Sequence, residues 1–92
     1  PVVSRAGIHS LQRFGVSILV NAGLADLVAA SDDDYVKIAS ELMADTKRLR
    51  EFRRELRTQM AASPVCDAPG ITREYEAAFR DMWRAWCRER TN

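Results

Sequence analysis

Apolar and polar positions alternate along the chain in blocks whose spacing predicts its elements. Pro1, Val2 and Val3 form a short apolar run, read as a buried strand, and Arg5 to His9 interrupt it with polar groups around Gly7. Ser10 then opens a helical pattern in which Leu11, Phe14, Ile18, Leu19 and Ala22 recur at helical spacing. Val16 and Val20 add apolar character on another side, so burial of more than one face is expected. Gly15 in the middle costs a helix roughly 1 kcal/mol relative to Ala, most easily understood if another backbone passes close by. Asn21 and Gly23 supply the stop, because Gly enters the left-handed C-cap conformation without steric cost. Leu24 to Ala29 follow as a short apolar segment, read as a brief strand or turn.

Beyond this unit the pattern is helical throughout. Ser31-x-x-Asp34 has the spacing of a capping box, and Asp32, Asp33 and Asp34 sit where a helix N-terminus presents partial positive charge. Tyr35, Ile38, Ala39, Leu42 and Met43 then mark one face. Asp45 can cap a third helix, whose narrow stripe of Leu49, Phe52, Leu56 and Met60 is flanked by Lys47, Arg48, Arg50, Arg53, Arg54 and Arg57, as expected of a surface helix. Ser63-Pro64 ends it, since Pro cannot donate a helical hydrogen bond and pushes its predecessor out of the α region. Asp67 to Gly70 read as a turn and Thr72 as the cap of the last helix. There Tyr75, Ala78, Phe79, Met82, Trp83, Trp86 and Cys87 form the strongest apolar stripe of the chain. If both Trp side chains lie inside, removing either should cost ~3–5 kcal/mol.

The expected fold class is therefore mainly α with one or two short N-terminal strands, the strand-loop-helix order being that of an α/β protein. The chain divides into a strand-loop-helix unit over 1–30, two amphipathic helices over 31–62 and a C-terminal amphipathic helix over 71–90. One strand-loop-helix unit cannot complete a parallel sheet, whose strands need neighbours at their edges and helices on both faces. The rest of the sheet is expected outside this sequence. A chain opening on Pro-Val-Val instead of Met is likewise expected to be a fragment of something longer.

Composition narrows the function classes. The 92 residues make at most one domain with a modest core. A hydrophobic fraction of 47%, a charged fraction of 29% and a net charge of +1 give no global pull toward nucleic acid or anionic membrane. No run approaches the ~20 apolar residues of a membrane span. Charge is nonetheless segregated: Ser31 to Asp45 are acidic, and Thr46 to Arg57 are basic. A basic stripe can be the footprint of nucleic-acid contact, but Glu51 and Glu55 interleave, Lys47 and Glu51 are spaced as an i,i+4 pair, and no aromatic residue lies on the polar face. A solvated helix face is the better reading, and no nucleic-acid partner is expected. Cys66 and Cys87 lack metal-ligand spacing and the single histidine, His9, is distant, so no metal or cofactor is expected; scarce cysteines favour a reducing, cytoplasmic setting. A disulfide between the two stays open at this level.

Candidate chemistry concentrates in the loop Ser4 to Ser10, because in open α/β sheets ligands bind beyond the carboxyl ends of the strands. A following helix N-terminus offers backbone N–H groups to an anion. Arg5, Gly7, His9 and Arg13 are the candidate substrate-binding residues, by position only; a solvated strand-to-helix loop is the competing reading. No catalytic residue is assigned, since there is no histidine pair and neither Ser nor Cys has an evident base.

Several blocks together resemble a known family. Pro1-Val2-Val3-Ser4-Arg5-Ala6-Gly7, Arg13-Phe14-Gly15-Val16-Ser17-Ile18-Leu19 and Ala22-Gly23-Leu24-Ala25-Asp26-Leu27-Val28-Ala29 are similar to the closing part of the O-linked N-acetylglucosamine transferase and SPINDLY-like glycosyltransferases. Tyr35-Val36-x-Ile38-Ala39, Leu49-Arg50, Ser63-Pro64-Val65-Cys66-Asp67 and Tyr75-Glu76-x-Ala78-Phe79-x-x-Met82-Trp83 continue the resemblance in order, as far as about Trp86. Ala6 stands where many members have Pro. The resemblance implies a GT-B architecture, two Rossmann-like lobes with a UDP-sugar between them, of which this is the end of the second lobe. It implies inverting transfer of N-acetylglucosamine, or fucose in some members, to protein Ser or Thr hydroxyls, with no metal. It also implies that the nucleotide-contacting His-Thr-Thr motif, the first lobe and the tetratricopeptide repeats lie in the rest of the polypeptide, so that the 92-residue chain is inactive by itself. From a different class, the alternative is a free-standing helical interaction module docking through the Trp83 and Trp86 face. In isolation that face is expected to be exposed or covered by self-association.

Overall fold

A computed structural model describes residues 1–91. Two short parallel strands, β1 (Ser4–Arg5) and β2 (Val28–Ala29), pair with Ser4 opposite Val28 and Arg5 opposite Ala29. The Ala6 N–H extends the ladder by donating to the Ala29 carbonyl at 2.8 Å. Parallel strands need a crossover, and here it runs through a 3-10 turn (Ser10–Arg13), helix α1 (Phe14–Asn21) and a second 3-10 turn (Ala25–Leu27). The expected strand at Pro1 to Val3 is displaced: Val2 is exposed, Val3 is half-buried, and pairing begins at Ser4. Its neighbour among the described residues, β2, is two residues long, so available backbone partners, not apolar side chains, decide where β1 lies.

Helix α1 ends as its sequence predicts. Gly23 has φ 78°, and the Leu24 and Gly23 N–H groups donate back to the carbonyls of Leu19 and Val20 at 2.8 and 3.1 Å, the paired bonds of a Schellman motif. The Ala22 carbonyl accepts from Gln59 Nε2 at 2.8 Å, which ties this helix end to the third helix. Gly15 lies directly against the Ser4 side chain of β1, where a Cβ would collide with the Ser4 Oγ. A close approach is present there, but it is made by the side chain of a strand residue and not by a passing backbone.

Helix α2 (Asp32–Ala44) starts at Ser31, whose Oγ accepts from the Asp34 N–H at 3.1 Å, while Asp34 Oδ2 accepts from the Ala30 N–H at 3.0 Å. Of its predicted apolar face, Leu42 is buried and Ile38 half-buried, but Tyr35 and Met43 stay exposed at the two ends of the stripe. Asp45 ends α2 and caps helix α3 (Thr46–Ala61) by accepting from the Arg48 N–H at 3.0 Å. A single-residue turn of this kind holds the two helices side by side. The core forms where they meet α1 and β2: Leu19, Ala22, Leu24, Leu27, Leu42 and Phe52 are buried, with Val3, Val28, Ile38, Leu49, Leu56, Met60 and Val65 packed around them.

A 3-10 turn (Pro64–Cys66) leads into α4 (Ala68–Thr91). The expected turn at Asp67 to Gly70 is instead the first turn of this helix. Asp67, not Thr72, satisfies its N-terminus, accepting from the Gly70 N–H at 3.1 Å; Thr72 Oγ1 donates back to the Ala68 carbonyl at 2.8 Å from inside the helix. Asp67 offers the same capping chemistry earlier in the chain, and Pro69 suits a first turn, where its missing N–H costs nothing. No residue of α4 is buried. At 1.5 Å per residue a helix of this length runs about 36 Å, and the molecule accordingly measures 61 × 30 × 15 Å with a radius of gyration of 18.3 Å. A compact chain of this size would have a radius of roughly 12 Å, so α4 projects from the core instead of packing on it.

Candidate functional site

The carboxyl ends of β1 and β2 lie side by side, and three features converge there: the loop Ala6 to His9, the 3-10 turn after it, and the N-terminus of α2. A shallow depression between them is lined by Arg5, Ala6, Gly7, Ile8, Gln12 and Ala30. It is held together chiefly by a residue not among the sequence-predicted candidates. Gln12 Oε1 accepts from the N–H groups of Ile8 and His9 at 3.1 and 3.3 Å, and the Gln12 N–H donates to the His9 carbonyl at 2.9 Å. Gly7 faces the Gln12 side chain so closely that a Cβ would collide with it. The signal for Gln12 was present in the sequence, three residues after His9 and at the start of a helical pattern, which is capping-box spacing.

Each predicted residue has a distinct place. Arg13 Nη1 donates to the Gly7 carbonyl at 2.9 Å and so closes the loop from the far side. Arg5 leaves the loop and pairs with Asp32 in the first turn of α2, with Nε 3.2 Å from Oδ1. Both partners are well exposed, and a solvated pair of this kind is worth about 1 kcal/mol or less. His9 is exposed and contributes its backbone, not its ring, to the loop. Gly7, His9 and Arg13 are thus brought together, and Arg5 stands beside them at the mouth of α2. What this edge presents chemically is guanidinium groups and one imidazole; the N–H groups of Ala6, Gly7, Ile8, His9 and Ala30 are already donated to acceptors within the protein.

Two other surfaces carry sequence-level expectations. On α4, Tyr75, Phe79, Met82, Trp83 and Trp86 all remain exposed, Trp86 at 46% and the others at about 60%. The Trp83 and Trp86 rings stack at 5.0 Å between centroids, and the Arg90 guanidinium lies 4.7 Å from the Trp86 ring. On α3 the Lys47–Glu51 pair does not form; Arg54 is instead paired with Glu55, whose hydrogen bond, and after it whose charge, holds the guanidinium pKa above its ordinary value. Cys66 and Cys87 are free thiols. Among the described residues no helix is long and apolar enough to cross a membrane.

No family model matches the chain. It is similar, at 47% identity over 87 residues, to a protein of Oryza sativa subsp. japonica named probable UDP-N-acetylglucosamine–peptide N-acetylglucosaminyltransferase SPINDLY, and these residues are 95% of this chain but 9% of that protein. Proteins of the same name from Hordeum vulgare and Arabidopsis thaliana are 44% identical over 87 residues and 40% identical over 88. The chain spans about a tenth of the length of these relatives. Over nearly its whole length, the chain is thus similar to one short segment of proteins named probable UDP-N-acetylglucosamine–peptide N-acetylglucosaminyltransferase SPINDLY.

Proposed function

We propose that the chain is the C-terminal portion of a nucleotide-sugar-dependent protein O-glycosyltransferase of the UDP-N-acetylglucosamine type, performing inverting transfer to Ser or Thr, and that it is inactive as an isolated segment. The observation that carries this reading is identity of up to 47% over 95% of the chain to proteins bearing that name. The strand-loop-helix-strand unit supports it, since its two strands pair in parallel and the loop beyond the carboxyl ends of such strands is where α/β lobes meet ligands. In this reading the chain closes the second lobe of a GT-B enzyme, and Arg5, Gly7, His9 and Arg13 border the nucleotide-sugar site. The rest of the polypeptide supplies the other lobe and tetratricopeptide repeats, the partner is a protein acceptor, and the setting is cytoplasmic.

The test has two arms. Calorimetry of the isolated 92-residue chain with UDP-N-acetylglucosamine should show no binding, whereas a longer protein containing it should glycosylate a Ser/Thr peptide and lose that activity when this segment is removed. Tight, saturable binding by the isolated chain, or full activity without it, overturns the proposal. A second reading rests on the exposed Trp83 and Trp86 face, which fits a helical module that docks a partner protein. Activity of the longer protein that is indifferent to deletion of α4 would favour that second reading.

A further inference from the structure

Of the consecutive backbone amides that run from Ala6 to His9, all but the first are taken by a single residue. The Ala6 N–H donates to the Ala29 carbonyl of β2 at 2.8 Å. The Gly7 N–H donates to the Gln12 carbonyl at 3.3 Å, and the Ile8 and His9 N–H groups donate to Gln12 Oε1 at 3.1 and 3.3 Å. Burial gives the loop little help. Ile8 is 91% exposed, His9 and Ser10 are exposed as well, and no residue of the 3-10 turn that follows is buried. The path of the loop therefore rests on its polar bonds, and exposed backbone hydrogen bonds open locally at low cost. Gly7 adds a steric limit, because the space a Cβ would need is filled by the Gln12 side chain.

We propose that Gln12 is a positioning residue of the nucleotide-sugar site, one that sets the affinity for the donor by holding the Gly7 to His9 backbone in a single path. The inference rests on the glycosyltransferase reading and deepens it, since that reading sets Arg5, Gly7, His9 and Arg13 at the border of the site. Gln12 acts through the loop and not on the substrate itself. Its Oε1 turns two amides inward, so the groups left to face a ligand are side chains carried on the path it fixes. The exposed His9 ring stands on that backbone, and Arg13 is anchored to it through the bond from Nη1 to the Gly7 carbonyl at 2.9 Å. Without the Oε1 acceptor the loop samples several paths, and the donor binds only to the fraction of molecules in the right one. If that fraction falls to about a fifth, the apparent affinity falls about five-fold. The ordering cost is met on binding and not in the chemical step, so the loss appears in the donor KM and not in kcat.

The experiment uses the longer protein that contains this chain, with UDP-N-acetylglucosamine as donor and a Ser/Thr peptide as acceptor, and compares the parent with Q12M and Q12E. Met matches Gln in length but its thioether is only a weak acceptor, whereas the Glu carboxylate accepts from both amides. Q12M should raise the donor KM about five-fold, leave kcat and the acceptor KM within about two-fold, and speed hydrogen exchange at the Ile8 and His9 amides. Q12E should restore slow exchange and bring the donor KM back to within about two-fold of the parent. An unchanged donor KM in Q12M, an equal rise in the acceptor KM, or a Q12E variant that regains protection without regaining the donor KM overturns the proposal. A parent protein that transfers no sugar from this donor overturns the glycosyltransferase reading and the inference with it, whereas an active parent with an indifferent Q12M overturns the inference alone.

Discussion

Leu27 and Trp83 should reverse the order of importance that their sizes suggest. Leu27 is fully buried, at 0% exposure, in the 3-10 turn that delivers the chain to β2, and its cluster draws side chains from α1, α2 and α3. A cavity at Leu27→Ala is walled by several elements tied to one another, which limits collapse and places the cost at about 3–5 kcal/mol. Trp83 is 61% exposed, and what it loses on truncation is chiefly its stack on Trp86, about 1 kcal/mol. A domain of this length holds roughly 5–14 kcal/mol in total, and a chain whose longest helix contributes nothing buried belongs near the lower end. Urea unfolding followed by far-UV circular dichroism, at concentrations where sedimentation shows a monomer, reads the difference directly. With a slope of about 1 kcal/mol/M, Leu27→Ala moves the midpoint down by about 3 M or unfolds the chain outright, whereas Trp83→Ala moves it by about 1 M or less. Equal losses, or a larger loss at Trp83, would show that α4 is packed into the core and refute the reasoning.

Other substitutions probe the local devices. Gly23→Ala forces a Cβ into the left-handed region and should cost about 1 kcal/mol, read as a lower urea midpoint without change of slope. Asp45→Ala removes the acceptor of the Arg48 N–H and should cost about 1 kcal/mol, with Asp45→Ser recovering most of it. Gln12→Ala should leave global stability within about 1 kcal/mol but speed hydrogen exchange at the Ile8 and His9 amides, which lose their acceptor; unchanged exchange would mean that the loop is held by other groups.

Features that depend on residues close in sequence are legible in the sequence alone. Ser31 and Asp45 cap helices because a short side-chain oxygen reaches an N–H three residues on, and Gly23 ends α1 because only the backbone of its own turn is involved. The position of β1 is not legible at the same level, because strand pairing is a property of two segments, and the apolar run at Pro1 to Val3 says nothing about where β2 stops. The start of α4 differs from expectation for a subtler reason: Asp67 and Thr72 both have capping chemistry, and the choice between them turns on where the preceding 3-10 turn releases the chain. The strong stripe on α4 correctly announces a helix yet cannot announce burial, since amphipathicity reports a need for a partner and not its presence.

Within the loop, the sequence marks the right neighbourhood while mixing two kinds of residue. Gly7 and Arg13 shape the loop, together with Gln12: removing the glycine's open space, the Arg13 bond to the Gly7 carbonyl or the Gln12 acceptor changes the backbone path itself. Arg5 and His9 are instead side chains carried on that path. His9 is exposed, and Arg5 is held only by an ion pair to Asp32, whose own side chain is 86% exposed. An exposed pair gives way for about 1 kcal/mol or less, less than one charge-assisted hydrogen bond to an incoming anion returns. The loop therefore combines a backbone fixed by internal bonds with one guanidinium free to swing from Asp32, so that its shape and its charge can be altered separately: Arg13→Gln should loosen the first, and Arg5→Gln should remove the second while the Ile8 and His9 amides keep their protection.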